Sequence, residues 1–315
     1  MAESASALRA PARPVFPAPR QGLLREIWKS RWAYLFISPF YILFAVFFLY
    51  PLLMSIYLSL TEWSGLGPIK FVGLANFQRL LDDRVFWQSM QNGVILFFMY
   101  VPLQTFLALV LAVVLNSRRV RGFQLFRTLI FMPYITNKVA AGFAFRLLLT
   151  KNNGLVNLFL GLFGIAAVPW LEDIWWARVS LCLLIIWAWL GYNMVIMLAG
   201  LQTIPSELNE AALIDGASPV QAFLHITIPL MRPVILFCVV LSTMGSFDLF
   251  AETRSLAGGT GAGPMNATLT PIVDIFNMAF GNLRLGSASA MSYVYFAVIF
   301  ILTLLQVRYF GREES

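Results

Sequence analysis

The stretch from Gln202 to Pro233 reads QTIPSELNEAALIDGASPVQAFLHITIPLMRP, and it interrupts a chain dominated by long apolar runs. It is too polar to cross a bilayer, and its helical spacing of apolar residues is too regular for a linker. Ser206 begins a predicted helix that Asp215-Gly216 ends, because glycine adopts the left-handed conformation at little cost. Pro219 opens a second short helix. The stretch predicts a helix–turn–helix on one face of the protein, where exposed apolar side chains would mark a protein contact.

The composition of the whole chain indicates a membrane protein. Of its 315 residues, 59% are hydrophobic and only 12% are charged, with a mean hydropathy of +0.77. Soluble domains are about half apolar and about a quarter charged. One histidine and two cysteines are too few for a disulfide framework or a histidine–cysteine metal cluster.

About six segments are long and apolar enough to cross the hydrocarbon layer, which takes roughly 20 residues of helix. We therefore predict an all-α membrane protein with about six transmembrane helices in a membrane domain over residues 32–310. A seventh crossing at 271–280 stays open. The predicted spans are 33–60, 92–116, 129–149, 177–201, 233–250 and 288–309.

Basic residues fall in short loops and near the ends of the chain, which is the positive-inside pattern and not a nucleic-acid-binding patch. With six spans they share one side, so both termini and the loop 202–232 are predicted to be cytoplasmic. Residues 1–31 are rich in Ala, Pro, Ser and Arg and are predicted to be a disordered cytoplasmic tail, and residues 311–315 a second tail. The orienting residues are Arg20, Arg25, Lys29, Arg31, Arg118, Arg119, Arg121, Arg308 and Arg312.

The polar loop carries a specific resemblance. Its Glu-Ala-Ala, Asp-Gly-Ala and Ile-Pro groups resemble the EAA loop of permease subunits from ATP-driven, binding-protein-dependent importers. The resemblance implies the type I ABC importer permease fold and a coupling helix that docks into a cleft on a separate ATPase. An interfacial amphipathic helix without a partner is the alternative. The coupling residues that the resemblance implies are Glu210, Ala211, Ala212, Asp215, Gly216, Phe223 and Pro229.

Weaker motifs follow one another in the order seen in carbohydrate-uptake permeases. They lie at Phe71–Phe77, Arg121–Pro133, Asn153–Asn157 and Gly286–Ala290. The set is similar to the type that includes the larger maltose permease and the glycerol-phosphate permease. The outer stretch Leu256–Pro264 is longer and looser than the T-x-G-G-P of that type, which leaves the shape of this loop open.

Polar and small residues within the fourth and fifth spans could line a substrate path, since such residues are costly in lipid. Some are added only because the maltose permease resemblance implies them, and the alternative is that they merely pack helices. Lys138 could pair with Asp248, attract an anionic substrate or contact a partner permease. The predicted path residues are Trp187, Gly191, Tyr192, Asn193, Met194, Ser242, Met244, Gly245, Ser246 and Asp248.

The resemblance implies a sugar-import subunit in a bacterial or archaeal inner membrane. Its implied partners are a second permease, two ATPase subunits and an extracytoplasmic sugar-binding protein. The chain lacks the G-x-x-x-x-G-K-[ST] phosphate loop. We therefore expect no cofactor on this chain, no enzymatic activity of its own, and ATP with Mg on the partner ATPase. The alternatives are an ion-coupled secondary transporter, an ABC permease for a non-sugar solute, and a membrane-anchored interaction protein.

Overall fold

The computed structural model describes residues 31–117 and 122–310. The predicted N-terminal tail, except Arg31, lies outside the described residues, as do the basic loop residues 118–121 and the C-terminal tail 311–315. Within the described ranges the chain is mostly helical, with one short antiparallel pair of strands. The α-helices are α1 Arg31–Phe44, α2 Tyr50–Ser59, α3 Ala75–Leu81, α4 Arg84–Asn116, α5 Phe123–Ile135, α6 Lys138–Leu148, α7 Leu155–Gly161, α8 Ile174–Leu201, α9 Ser206–Ile214, α10 Pro219–Ala222, α11 Ile228–Phe247, α12 Ala251–Ala257, α13 Pro271–Phe276 and α14 Leu285–Phe310.

Short elements of other types join these helices. The strands β1 Thr61–Glu62 and β2 Lys70–Phe71 pair with Thr61 opposite Phe71. Pro264–Asn266 forms a 3-10 turn. The π-helical turns are Ala45–Leu49, Phe223–Thr227 and Asn277–Gly281.

Five continuous helical stretches among the described residues are long and apolar enough to cross a membrane. They overlap the first, second, fourth, fifth and sixth predicted spans. The fifth begins earlier than predicted, because the chain stays helical through the π-helical turn Phe223–Thr227, where the Ile228 amide donates to the Phe223 carbonyl. The five stretches are Arg31–Ser59, Arg84–Asn116, Ile174–Leu201, Pro219–Phe247 and Leu285–Arg308.

The third predicted span is not one helix, which corrects the sequence interpretation. The chain leaves helical geometry at Thr136 and Asn137, so that α5 and α6 are separate. The Asn137 side chain accepts hydrogen bonds from the backbone amides of Val139 and Ala140, at 3.0 and 3.1 Å. This cap satisfies two amides that would otherwise lack partners at the start of α6. Lys138 becomes the first residue of the new helix.

The chain divides into two compact units, residues 1–54 and 55–315. In the first, the described residues form an apolar helix that is exposed almost all round, with the rings of Phe40, Phe44 and Phe48 stacked in sequence along it. A helix that is apolar on every side is typical of a segment surrounded by lipid.

The second unit is built around α4 and α8, which pack along each other, and α11 packs against both. In lipid such contacts depend on close packing more than on the hydrophobic effect, so small residues matter. Gly191 illustrates this, since a Cβ there would collide with the backbone of Ile130 in α5. The outer helices α6 and α12 also pack on each other, and together with α4, α8 and α11 they surround a cavity.

Candidate transport cavity and coupling segment

A cavity of about 130 Å³ lies among α4, α6, α8, α11 and α12. Its wall combines aromatic rings, amides, hydroxyls and three charged side chains. Concave, mostly apolar sites with a few convergent polar groups are the usual form of small-ligand sites. The lining residues are Tyr100, Gln104, Lys138, Ile185, Trp189, Tyr192, Asn193, Leu241, Ser242, Gly245, Asp248, Leu249 and Glu252.

One side of the cavity is aromatic. Trp189 and Tyr192, both on α8, line it, and Tyr134 of α5 lies behind them. The Tyr134 ring stacks on that of Tyr192 with centroids 4.6 Å apart, and it meets the Trp189 ring edge-on at 5.2 Å. Such packed rings hold fixed orientations and offer a flat apolar surface to a ligand.

The neutral polar groups connect three helices. Asn193 Nδ2 of α8 donates to Ser242 Oγ of α11 at 3.1 Å, and the Tyr100 hydroxyl of α4 donates to the Ser242 carbonyl oxygen at 2.8 Å. Gln104 Oε1, one turn below Tyr100, is buried and accepts no hydrogen bond from any described residue. The cavity wall therefore contains an acceptor without a donor, which is costly in a low-dielectric site.

The charged residues lie where α6 and α12 meet. The Lys138 ammonium is 3.6 Å from Glu252 Oε1, and it lies 4.0 Å from the centroid of the Trp189 ring. Trp189 Nε1 also donates to Glu252 Oε1, at 3.4 Å. Of the partners considered from the sequence, Asp248 is not the one found, because Lys138 pairs with Glu252. Asp248 itself makes no side-chain hydrogen bond or ion pair with the described residues.

The predicted path residues divide by helix face. Tyr192, Asn193, Ser242, Gly245 and Asp248 line the cavity. The other five predicted residues are not among the described residues that line the cavity. This cavity therefore does not support a role for them in a substrate path. Trp187 packs its ring on Phe145, Gly191 contacts Ile130, Met194 is fully buried in the helix core, Met244 lies on the surface, and Ser246 donates to the Thr243 carbonyl.

Helical periodicity explains which predicted residues line the cavity and which lining residues the prediction omitted. Positions 185, 189, 192 and 193 lie on one face of α8, whereas 187, 191 and 194 lie on others. Counting one turn back from Asn193 would have found Trp189. Tyr100 and Gln104, also one turn apart, would have required knowing which face of α4 meets α8. Glu252 follows the fifth predicted span, and no sequence signal places it beside Lys138.

The polar stretch forms the predicted helix–turn–helix. At the end of α9 the Ala217 amide donates to the Ala212 carbonyl at 2.9 Å, and the Gly216 amide donates to the Leu213 carbonyl at 3.2 Å. Gly216 has a φ of +85°, so this is a Schellman turn. Ser218 then caps α10 through a reciprocal pair of hydrogen bonds with Gln221.

The surface of this segment is unusually apolar for an exposed helix pair. Its exposed apolar side chains are Leu208, Leu213, Ile214, Val220 and Leu224. An exposed patch of this kind marks a contact with another protein or with a membrane surface. Of the predicted coupling residues, Glu210, Ala211, Asp215 and Gly216 are exposed, and Ala212, Phe223 and Pro229 are half-buried.

The loop between α12 and α13, which is predicted to lie outside the membrane and is called the outer loop below, is held over α4 and α8 by a polar clamp. Asn92 Nδ2 donates to the carbonyl oxygens of Asn266 and Leu269, at 2.7 and 3.0 Å. Arg178 donates to the Ala267 carbonyl at 3.2 Å and to Asn92 Oδ1 at 2.9 Å. The clamp holds a turn in which Met265 and Asn266 have positive φ. This gives the loop after the fifth span, whose shape the sequence left open, a defined conformation.

The sequence and the fold of the chain find matches among known proteins. The family model described as the binding-protein-dependent transport system inner membrane component matches residues 83–313. The chain belongs to this family. This membership makes the chain a transport subunit of such a system. It excludes two alternatives, the ion-coupled secondary transporter and the membrane-anchored interaction protein. In the residues that the structure describes, no group of three His, Cys, Asp or Glu side chains could hold a metal ion.

The permease is similar to transport proteins for several saccharides. It is 42% identical to the lactose transport system permease protein LacF of Rhizobium radiobacter, over 94% of this chain and 98% of that protein. It is 32% identical to the arabinooligosaccharides transport system permease protein AraP of Bacillus subtilis, over 95% of each chain. Its fold matches a chain of a bacterial ABC transporter involved in the import of the acidic polysaccharide alginate. That match has a TM-score of 0.80 and 21% identity, over 94% of this chain and 100% of the other. The expected type I permease fold is thereby confirmed.

Proposed function

We propose that the permease is the membrane-spanning subunit of an ATP-driven sugar importer, in which it forms half of the substrate path. The observation that carries this proposal is the cavity, where the Trp189 and Tyr192 rings adjoin the hydrogen-bonding groups of Asn193, Ser242 and Asp248. Aromatic faces stack on the C–H surfaces of sugars, and amides and carboxylates bind their hydroxyls. The saccharide names of the relatives point the same way.

The second part of the proposal concerns coupling. The permease transmits the closure of a separate ATPase through α9 and the turn at Gly216, with Glu210 pairing with a basic group of that ATPase. The exposed apolar surface of this segment supports the idea, since it lacks a partner among the described residues. ATP and Mg are bound by the ATPase, and this chain binds no cofactor.

The complete importer contains a second permease, two ATPase subunits and an extracytoplasmic sugar-binding protein. A solved structure of the alginate importer in complex with its periplasmic protein has the same fold in the matched chain, with a TM-score of 0.76. We place this permease in the inner membrane of a bacterium or archaeon, with its termini and the coupling segment on the cytoplasmic side.

The test is uptake by the purified complex in proteoliposomes with ATP inside. Glu210→Gln should lower sugar uptake at least tenfold while complex assembly is retained. The matched control is Glu207→Gln, which removes the same charge from the first turn of the same helix and should leave uptake within twofold. Equal rates for the two variants would refute the coupling role. Uptake of a non-sugar solute in place of every saccharide tested would refute the substrate class.

A further inference from the structure

We propose that the cavity takes an uncharged saccharide and disfavours acidic ones, because its unengaged polar groups accept hydrogen bonds and its cation is already paired. This inference rests on the proposed function and concerns the half of the path that this chain supplies. The fold does not decide the matter, since it is shared with an importer of an acidic polysaccharide.

The first step is the charge of the cavity wall. Among the described residues, the acidic and basic side chains that line the cavity are Lys138, Asp248 and Glu252. The wall therefore carries two negative charges and one positive charge. The Lys138 ammonium faces Glu252 at 3.6 Å and the Trp189 ring at 4.0 Å. It is therefore neutralised before any ligand enters, and the excess negative charge belongs to Asp248.

The second step is the hydrogen-bonding inventory. The Oε1 atom of Gln104 is buried and has no donor among the described residues. The carboxylate of Asp248 is exposed, and it makes no hydrogen bond or ion pair with the described residues. Both are acceptors, and an ionised carboxylate can only accept. A saccharide hydroxyl can donate to either of them, while its ring lies against Trp189. A carboxylate or phosphate ester on the ligand has no such hydrogen to offer.

The third step is the effect of a charged ligand. A carboxylate placed beside Asp248, which is only half shielded from solvent, would meet a like charge, and electrostatic repulsion there is stronger than in bulk water. No other described cation lines the cavity to offset it. Neutral saccharides avoid this repulsion and also avoid the cost of removing an ion from water.

The experiment measures binding to the complete permease–ATPase complex, trapped with ATP and vanadate and without the binding protein, so that selection by the binding protein plays no part. The probes are radiolabelled lactose and the same disaccharide with its galactose C6 oxidised to a carboxylate. We expect the neutral probe to bind at least tenfold more tightly, which corresponds to about 1.4 kcal/mol. Asp248→Asn should reduce this preference to threefold or less, because the amide keeps an acceptor and loses the charge.

A matched control is Asp82→Asn, which removes an exposed acid at the end of α3 and should leave the preference unchanged. Equal or tighter binding of the acidic probe, or a preference that Asp248→Asn does not alter, overturns the inference. Failure of both probes to bind at high millimolar concentration also counts against it. In that case, uptake of disaccharides by the full system would leave the sugar-import function standing.

Discussion

The carboxylate of Glu252 is buried under the ammonium group of Lys138, with Nζ 3.6 Å from Oε1 and the Glu252 side chain only 4% exposed. The contact joins the start of α12 to the first residue of α6. An acid is favourable at a helix N-terminus and a lysine is not. Lys138 is therefore held at an unfavourable end of its helix by Glu252 and the Trp189 ring.

Glu252→Gln should destabilise the permease by about 2 kcal/mol, because Lys138 would keep its charge and lose its neutralising partner. This is less than the 3–5 kcal/mol of a fully buried pair, since Lys138 is 38% exposed. The double variant with Lys138→Met should recover most of the loss. Thermal unfolding in detergent measures both effects.

The control for that pair is Lys151 with Glu172, whose atoms lie 3.3 Å apart but whose side chains are 43% and 60% exposed. Breaking an exposed pair should cost at most about 1 kcal/mol. Similar losses at the two pairs would contradict the account of Glu252 as a buried anchor.

Gly216→Ala tests the coupling turn without touching a neighbour. The φ of Gly216 is +85°, and an added Cβ would meet nothing within 4 Å, so only backbone strain of about 1–2 kcal/mol is introduced. We expect fewer sugar molecules imported per ATP hydrolysed. Gly67→Ala adds the same strain, at a φ of +78° and with equally open space, in the β1–β2 loop. If Gly67→Ala lowered that ratio equally, strain and not coupling would be responsible.

Asn92→Ala should release the outer loop. It removes the donor of the half-buried Asn266 carbonyl and the buried Leu269 carbonyl, and it removes an acceptor of Arg178, at a cost of about 2–4 kcal/mol. Amide hydrogen exchange at residues 265–270 should rise at least tenfold. Ser89→Ala is the control, because the Ser89 hydroxyl bonds only to the Phe86 carbonyl within its own helix. Unchanged exchange in the Asn92 variant would show that the clamp does not hold the loop.

Asp274, in α13 outside the five long apolar helices, should make stability depend on pH. Burial, and then the nearby charge of Asp83, raise the pKa of Asp274 to about 7. An unfolded aspartate loses its proton near pH 3.9, so stability should fall as the pH rises from about 4 to about 7 and stay low above that. Asp274→Asn should flatten this decline in melting temperature. A melting profile identical to that of the parent protein would contradict it.

The sequence predicted the helical membrane fold and the turn around Gly216, because hydropathy and turn chemistry are local signals. It failed at Asn137, where one capping side chain divides an apolar run that hydropathy counts as a single span. The sequence identified Asn193 and Ser242 because they are polar residues within predicted spans. It missed Trp189 and Glu252 because their roles depend on which faces of α8 and α12 meet other helices, and that is a property of packing.

Helix α8 has a mechanical consequence. Its 28 residues contain no proline or π-helical turn, so at 1.5 Å per residue it is an unbroken rod of about 42 Å. Arg178, near one end of the helix, binds the outer loop, and Asn193 faces the cavity. Leu201, at the other end, is followed within a few residues by α9. A tilt imposed at the α9 end cannot be absorbed by a hinge along the way. The part of the cavity wall that α8 forms and the outer loop that Arg178 binds must then move together as one rigid body.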